Sequence, residues 1–97
     1  MNTADNLRKC ADVFEKKNKE YGNVFHRLGD VFVALFPEGV ELKSADDFGR
    51  FGLTLEIVTK LQRYCHNFSK GGHDDSLVDM SVYCQMILEL EDEASKK

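Results

Sequence analysis

The chain has 97 residues, of which 42% are hydrophobic and 31% are charged, and its formal net charge is −4. This composition is typical of a folded globular domain, and the acidic balance argues against a nucleic-acid backbone as the main partner. The wide spacing of three cysteines excludes a disulfide framework, and the absence of a signal peptide or a bilayer-length apolar run predicts a cytoplasmic protein without a membrane partner.

Apolar residues recur at steps of three and four residues, which predicts helices rather than strands. We expect four helical segments, at about residues 3–21, 24–36, 44–67 and 74–93. Thr3 and Ser44 are the expected N-caps of the first and third segments, and Gly22 is an expected C-cap. Pro37 and Gly39 form a turn signal that ends the second segment.

These segments predict one all-α domain over residues 1–97, built as a compact bundle of about four helices. Its core is expected over about residues 3–93, and the tail at 94–97 is expected to fray. Because a chain this short buries a thin core, a second subunit is expected to complete it.

The first segment ends in a run of lysines, of which Lys16 and Lys17 are followed by Asn18. Lysines near a helix C-terminus interact favourably with the helix dipole, and this is the default explanation of the run. Alternatively, Asn18 and Tyr21 place an amide and an aromatic ring at the rim of a pocket.

A polar stripe runs along the third segment, where Glu56, Lys60 and Arg63 share one helix face. One interpretation is a solvated face with an intrahelical ion pair between Glu56 and Lys60. The other is a phosphate site in which Lys60 and Arg63 donate to the anion and Glu56 orients one of them.

The fourth segment carries Asp75, Asp79 and Tyr83 at steps of four residues. Carboxylates at this spacing can share a divalent cation such as Mg²⁺. Asp75 has an alternative role in the first helical turn, where a carboxylate meets the dipole. Asp79 lies a full turn further along, between two apolar residues, and is the stronger candidate for a ligand. No paired Cys and His spacing typical of structural zinc is present.

Three strings together resemble a known group of proteins: Lys17-Asn18-Lys19-Glu20-Tyr21-Gly22, the K-x-x-R pair Lys60 and Arg63, and Gly72-His73-Asp74-Asp75-Ser76-Leu77-Val78-Asp79-Met80 leading into Tyr83. Over residues 14–92 the chain resembles the small phage and prophage proteins of the nucleotide-modification-associated type. These proteins are relatives of the MazG-like all-α nucleoside triphosphate pyrophosphatases.

The resemblance implies an all-α fold that assembles into homodimers or homotetramers and binds a nucleotide. It implies Mg²⁺ held by carboxylates of two helices and hydrolysis to a monophosphate and pyrophosphate. The residue roles it implies are metal binding and catalysis by Glu56, Asp75 and Asp79, and substrate binding by Asn18, Tyr21, Lys60, Arg63 and Tyr83.

One departure from the pattern bears on catalysis. Enzymes of this type carry two or three glutamates on the first metal helix, whereas Glu56 stands alone here and Lys60 takes the place of a carboxylate. The sequence therefore supports two hypotheses, a Mg²⁺-dependent nucleotide pyrophosphatase or a non-catalytic module that sequesters a nucleotide or a host protein in phage counter-defence. A purely structural helical oligomer is a third.

Overall fold

A computed structural model describes residues 1–96, apart from the side chain at position 20. Every regular element in this part of the chain is helical, which confirms the all-α fold class. The elements are α1 (Thr3–Tyr21), a 3₁₀ turn (Val24–His26), α2 (Leu28–Leu35), α3 (Ala45–His66), a second 3₁₀ turn (Phe68–Lys70) and α4 (Asp74–Ser95). Of the tail expected to fray, residues 94 and 95 continue α4, and Lys97 lies outside the described residues.

The second segment differs from the prediction of one helix over residues 24–36. The Arg27 N–H donates to the Val24 carbonyl oxygen at 3.0 Å, closing a 3₁₀ turn before α2 begins. This break at Arg27 separates the buried Val24 from α2, all of whose residues are at least partly exposed. Apolar periodicity alone does not predict such a break, because the apolar spacing continues through it.

Side-chain caps fix the starts of the three long helices. Asn2, rather than the expected Thr3, caps α1 and forms a capping box with Asp5. Ser44 caps α3 as expected, with Asp47 completing its box. Backbone N–H groups of Lys43 and Ser44 donate to the Asp47 carboxylate and hold its pKa below the usual value.

Helices α3 and α4 form an antiparallel hairpin that organises the fold. Arg50 lies near Glu91, and Lys60 lies near Asp79, so residue numbers rise along one helix as they fall along the other. The connection between them requires Gly72, which has a positive φ of 85° and approaches the Tyr64 ring. A Cβ at this position would lie 2.6 Å from Tyr64 Cε2.

Two aromatic clusters attach the remaining elements to the hairpin. Phe32 and Phe36 pack on Phe51 of α3, with ring centroids 5.6 and 5.9 Å from it. Phe14 of α1 meets Phe25 edge-on at 5.9 Å. The second cluster joins α1 to the 3₁₀ turn. The C-terminal end of α1 lies beside the C-terminal part of α3, where Arg63 contacts Tyr21 and the candidate site lies.

The described part of the chain has a thin core, in which Val24 and Val58 are the buried hydrophobic residues. Apolar spacing along α4 predicts a core face, but only part of it is covered. The half-buried side chains are Met80, Tyr83, Ile87 and Leu90, whereas Leu77, Cys84 and Leu88 are exposed. The Cα radius of gyration is 16.6 Å, against about 13 Å for a compact domain of this length. The bundle is therefore more open than the compact one predicted. Over the same described residues, no helix is both long enough and apolar enough to cross a bilayer.

Candidate functional site

An apolar recess of about 230 Å³ opens beside the C-terminal end of α1, against the 3₁₀ turn and α3. Its walls include three aromatic rings and three polar side chains, namely Phe14, Tyr21, Phe25, Lys17, Asn18 and Gln62. The aromatic rings provide flat apolar surface, while the amides of Asn18 and Gln62 offer both donors and acceptors. The sequence expectation that Asn18 and Tyr21 lie at a pocket rim is consistent with this position.

Tyr21 is held in place by Arg63 of α3. The Arg63 guanidinium lies 4.6 Å from the Tyr21 ring centroid, and its Nη1 donates to the Tyr21 hydroxyl at 3.1 Å. Both side chains are half-buried, so water screens the contact only partly. Two residues predicted separately as ligand-binding residues, 42 positions apart in the chain, are thus direct neighbours.

A second, basic recess of about 430 Å³ lies beside the first. It is lined by Lys16, Lys17, Arg63 and Val13. Lys17 therefore lines both recesses, and its position joins an apolar surface to a surface with three cationic groups. Clustered ammonium and guanidinium groups form strong, charge-assisted hydrogen bonds to phosphate oxygens.

Lys60 does not line either of these recesses. Its side chain is 16% exposed and points to α4, where Nζ lies 3.9 Å from Asp79 Oδ2. Asp79, which the sequence makes a stronger candidate for a metal ligand than Asp75, is therefore paired with the Lys60 ammonium group. Glu56 is exposed on α3.

The register of the hairpin determines whether the predicted carboxylates can share a metal. The pairs Arg50 with Glu91 and Lys60 with Asp79 place Glu56 level with about residue 84 of α4. Asp75 then lies about nine residues further along, which is roughly 13 Å on a helix axis. Both Glu56 and Asp75 are exposed.

The three carboxylates accordingly do not fit one Mg²⁺ within a single chain. Among the described residues, no three His, Cys, Asp or Glu side chains form a group that could hold a metal ion. Tyr83, predicted to contact substrate, is half-buried on α4. Magnesium binding stays a prediction.

The Gly-His-Asp-Asp-Ser string of the resemblance has a structural role here. His73 caps α4, and its Nδ1 accepts from the Ser76 N–H at 3.3 Å. The Ser76 side chain is fully buried, and its Oγ lies 2.9 Å from the same His73 Nδ1. This contact satisfies a buried hydroxyl and fixes the start of α4.

Sequence reasoning missed the contribution of Lys16, Lys17, Phe25 and Gln62 to the recesses. A signal was present for Lys17, which lies four residues before Tyr21 and three after Phe14 and so shares their helix face. Phe25 and Gln62 carried no comparable signal, because their place depends on the turn after α1 and on the packing of α3.

In comparisons with protein families, characterised proteins and solved structures, no family model, curated protein or experimental structure matches this chain. The resemblance to the MazG-like proteins therefore stays a prediction.

Proposed function

We propose that this protein binds a nucleotide at the end of α1, with the base in the apolar recess and the phosphates in the basic recess. The observation that carries this proposal is the shared wall formed by Lys17. A ligand crossing this wall must be apolar and flat at one end and anionic at the other, and a nucleotide has both properties. The combined volume is in the usual range for small-molecule sites.

Each part of the ligand has a chemical counterpart in the site. The rings of Phe14, Tyr21 and Phe25 provide surface for a base to stack on, which is favourable for any base. Asn18 is half-buried and places an amide where it can meet the edge of the base. Lys16 and Lys17 can donate to phosphate oxygens from α1 while Arg63 does so from α3.

The site differs from the one that the resemblance implies. Asn18, Tyr21 and Arg63 keep the binding roles implied for them, whereas Lys60 is engaged by Asp79 across the hairpin. Binding without turnover suits this arrangement, because the supporting contacts recognise base and phosphate and include no group that activates water. The proposed activity is therefore nucleotide binding or sequestration, of which the phage counter-defence role is one form.

Ligand-dependent stabilisation tests the binding proposal. The thermal midpoint of the purified protein is measured with ATP and with each dNTP in the presence of EDTA, because a ligand that binds only the native state raises it. We expect a rise with at least one nucleotide and an affinity loss of about tenfold for Lys17→Met. The matched control is Lys43→Met, a lysine on the chain between α2 and α3 that should leave affinity unchanged. No shift with any nucleotide would overturn the proposal.

Hydrolysis is tested on the same protein and variants in buffer without EDTA. Adding Mg²⁺ and assaying pyrophosphate separates the two hypotheses, since a pyrophosphatase releases it and a sequestering module does not. Turnover lost in Asp79→Asn and kept in Lys17→Met at saturating nucleotide would favour the hydrolase that the resemblance implies.

A further inference from the structure

A further recess, of about 420 Å³, runs as a groove between α2 and the C-terminal half of α3. Most of its walls are apolar, and they are formed by Val24, Val31, Leu35, Val58 and Leu61. Val24 and Val58, the buried hydrophobic residues of the described chain, make the thin core itself part of the groove. Leu35 and Leu61 are 53% and 47% exposed, so two large apolar side chains border the groove without being covered.

The groove is separate from the basic recess of the proposed nucleotide site, since Lys16, Lys17 and Arg63 do not line it. It adjoins the apolar recess, with which it shares Val24 and Gln62. Its volume is in the range of small-molecule sites. The groove therefore offers a second surface of its own to a ligand.

This groove is polar at one end only. Phe36, just after α2, meets Phe51 in the first half of α3. Arg27, just before α2, lines the groove with His66, the last residue of α3. The two helices therefore run antiparallel, with the basic pair at one end of the groove and Leu35 at the other. The eight residues of α2 span about 12 Å between these ends.

The polar end carries donors without a carboxylate to accept from them. Arg27 brings a permanently charged guanidinium, and the His66 ring brings a further N–H. The His66 ring packs so closely on Gly22 that a Cβ there would lie 2.6 Å from its Nδ1, which fixes where the ring stands. In the part of the chain that the structure describes, no ion pair involves Arg27 or His66 and no acidic side chain lines the groove.

We propose that the groove binds an aliphatic monocarboxylate, with its chain between α2 and α3 and its carboxylate on Arg27 and His66. Charge complementarity argues for this occupant, because one anionic group matches the one cationic end and an apolar chain matches the walls. A ligand charged along its whole length would desolvate its charges against the valine and leucine side chains. A straight-chain acid such as octanoate suits the length of about 12 Å between the ends.

Cys65 is a built-in reporter of occupancy, because its exposed thiol lines the groove. The full chain is alkylated with iodoacetamide, with and without octanoate and in the absence of nucleotide, and the rate at each thiol is read by mass spectrometry. With octanoate at about ten times its Kd, we expect about tenfold slower alkylation of Cys65, since only the empty fraction reacts. Cys10 and Cys84 are exposed outside the groove and should keep their rates.

Variants and a chain-length series separate the two ends of the ligand. Arg27→Met keeps an apolar stem without the charge, and it should weaken octanoate by about tenfold or more while leaving octanol unaffected. The matched control is Arg8→Met on α1, an exposed arginine outside the groove, which should bind octanoate as the native protein does. From butanoate to octanoate, affinity should rise about fourfold for each methylene buried.

Equal alkylation of Cys65 with and without octanoate would overturn the proposal, as it would if a second copy already covered the groove. Equal protection of Cys10 and Cys84, or an affinity that depends neither on chain length nor on Arg27, would overturn it as well. Weakening by Lys17→Met instead of Arg27→Met would place the acid in the basic recess. Nucleotide binding is measured without octanoate, so failure of either proposal leaves the other standing.

Discussion

Lys60 and Asp79 connect α3 to α4, with the lysine Nζ 3.9 Å from the aspartate Oδ2 and the lysine side chain only 16% exposed. Together with Arg50 and Glu91, the pair shows which residues of the antiparallel hairpin lie opposite each other. It also gives Asp79 a structural role that competes with any role as a metal ligand.

Asp79→Asn should destabilise the protein by about 1 kcal/mol, because it leaves a mostly buried ammonium group without its counter-ion. Lys60→Met keeps the apolar stem and should cost less. A double-mutant cycle from urea unfolding gives the coupling between the two. Asp75→Asn is the control and should change stability little, since Asp75 is exposed in the first turn of α4. Stabilisation by Asp79→Asn would instead indicate repulsion between carboxylates.

The connection between α3 and α4 supplies a second prediction, from two adjacent glycines. Both Gly71 and Gly72 have positive φ, but a Cβ at Gly71 would meet nothing within 4 Å. Gly71→Ala should therefore cost only the backbone strain, about 1–2 kcal/mol. Gly72→Ala should cost more by about 1–3 kcal/mol, because its Cβ would collide with the Tyr64 ring. Equal losses of unfolding free energy for the two variants would contradict the close approach.

The two capping boxes allow a comparison between a packed helix and a projecting one. Ser44→Ala removes the acceptor of the Asp47 N–H and should lower the free energy of unfolding by about 1 kcal/mol. Asn2→Ala removes the same contact from Asp5 but should leave global unfolding nearly unchanged, because the start of α1 can fray alone. Faster amide exchange at Asp5, without a shift in the urea midpoint, is the expected signature. A global loss from Asn2→Ala would mean that the start of α1 is packed in solution.

How well the sequence predicts a feature of this molecule depends on how far apart along the chain the interacting residues lie. The bounds of the three long helices and the Ser44 cap depend on near neighbours, and spacing predicts them well. The apolar period does not predict the break at Arg27 between the 3₁₀ turn and α2, because it continues through that break. Arg63 and Tyr21 are 42 positions apart in the chain. Helical spacing predicts which face of its own helix each residue occupies, but it does not predict that the two side chains are in contact.

The same limit explains why helical spacing did not predict how far apart Glu56 and Asp75 lie. Spacing places Asp75 and Asp79 on one side of α4, but only the register of α3 against α4 decides which of them Glu56 can reach. That register follows from packing along the whole hairpin and from the glycine turn, neither of which is a local pattern. The lysine pair beside Tyr21 was present in the sequence and was attributed to the helix dipole alone.

The cap of α3 predicts a pH dependence. The backbone N–H groups of Lys43 and Ser44 lower the pKa of Asp47, so its ionised form stabilises the native state. The sign follows from linkage: this stability is fully present above the unfolded pKa of about 3.9 and is lost as pH falls through the lower folded pKa. Urea unfolding between neutral pH and strong acid should therefore show a loss that Asp47→Asn reduces. Asp12→Asn, at an exposed position on α1, is the control and should keep the full acid dependence.

Tyr21 offers the most direct probe of how α1 is attached to α3. Tyr21→Phe removes the hydroxyl that accepts from Arg63 at 3.1 Å and should cost about 1 kcal/mol, while the ring stays beneath the guanidinium. Tyr21→Leu also removes the cation–π contact and should cost about 0.5–1 kcal/mol more than loss of the hydroxyl alone. Tyr83→Phe on α4 is the matched control, because no hydrogen bond of its hydroxyl occurs among the contacts described for residues 1–96, and its unfolding free energy should be unchanged. If Tyr21→Phe were as stable as the native protein in urea unfolding, the Arg63 contact would not be what holds the end of α1, and the wall that Lys17 forms between the two recesses would need another support.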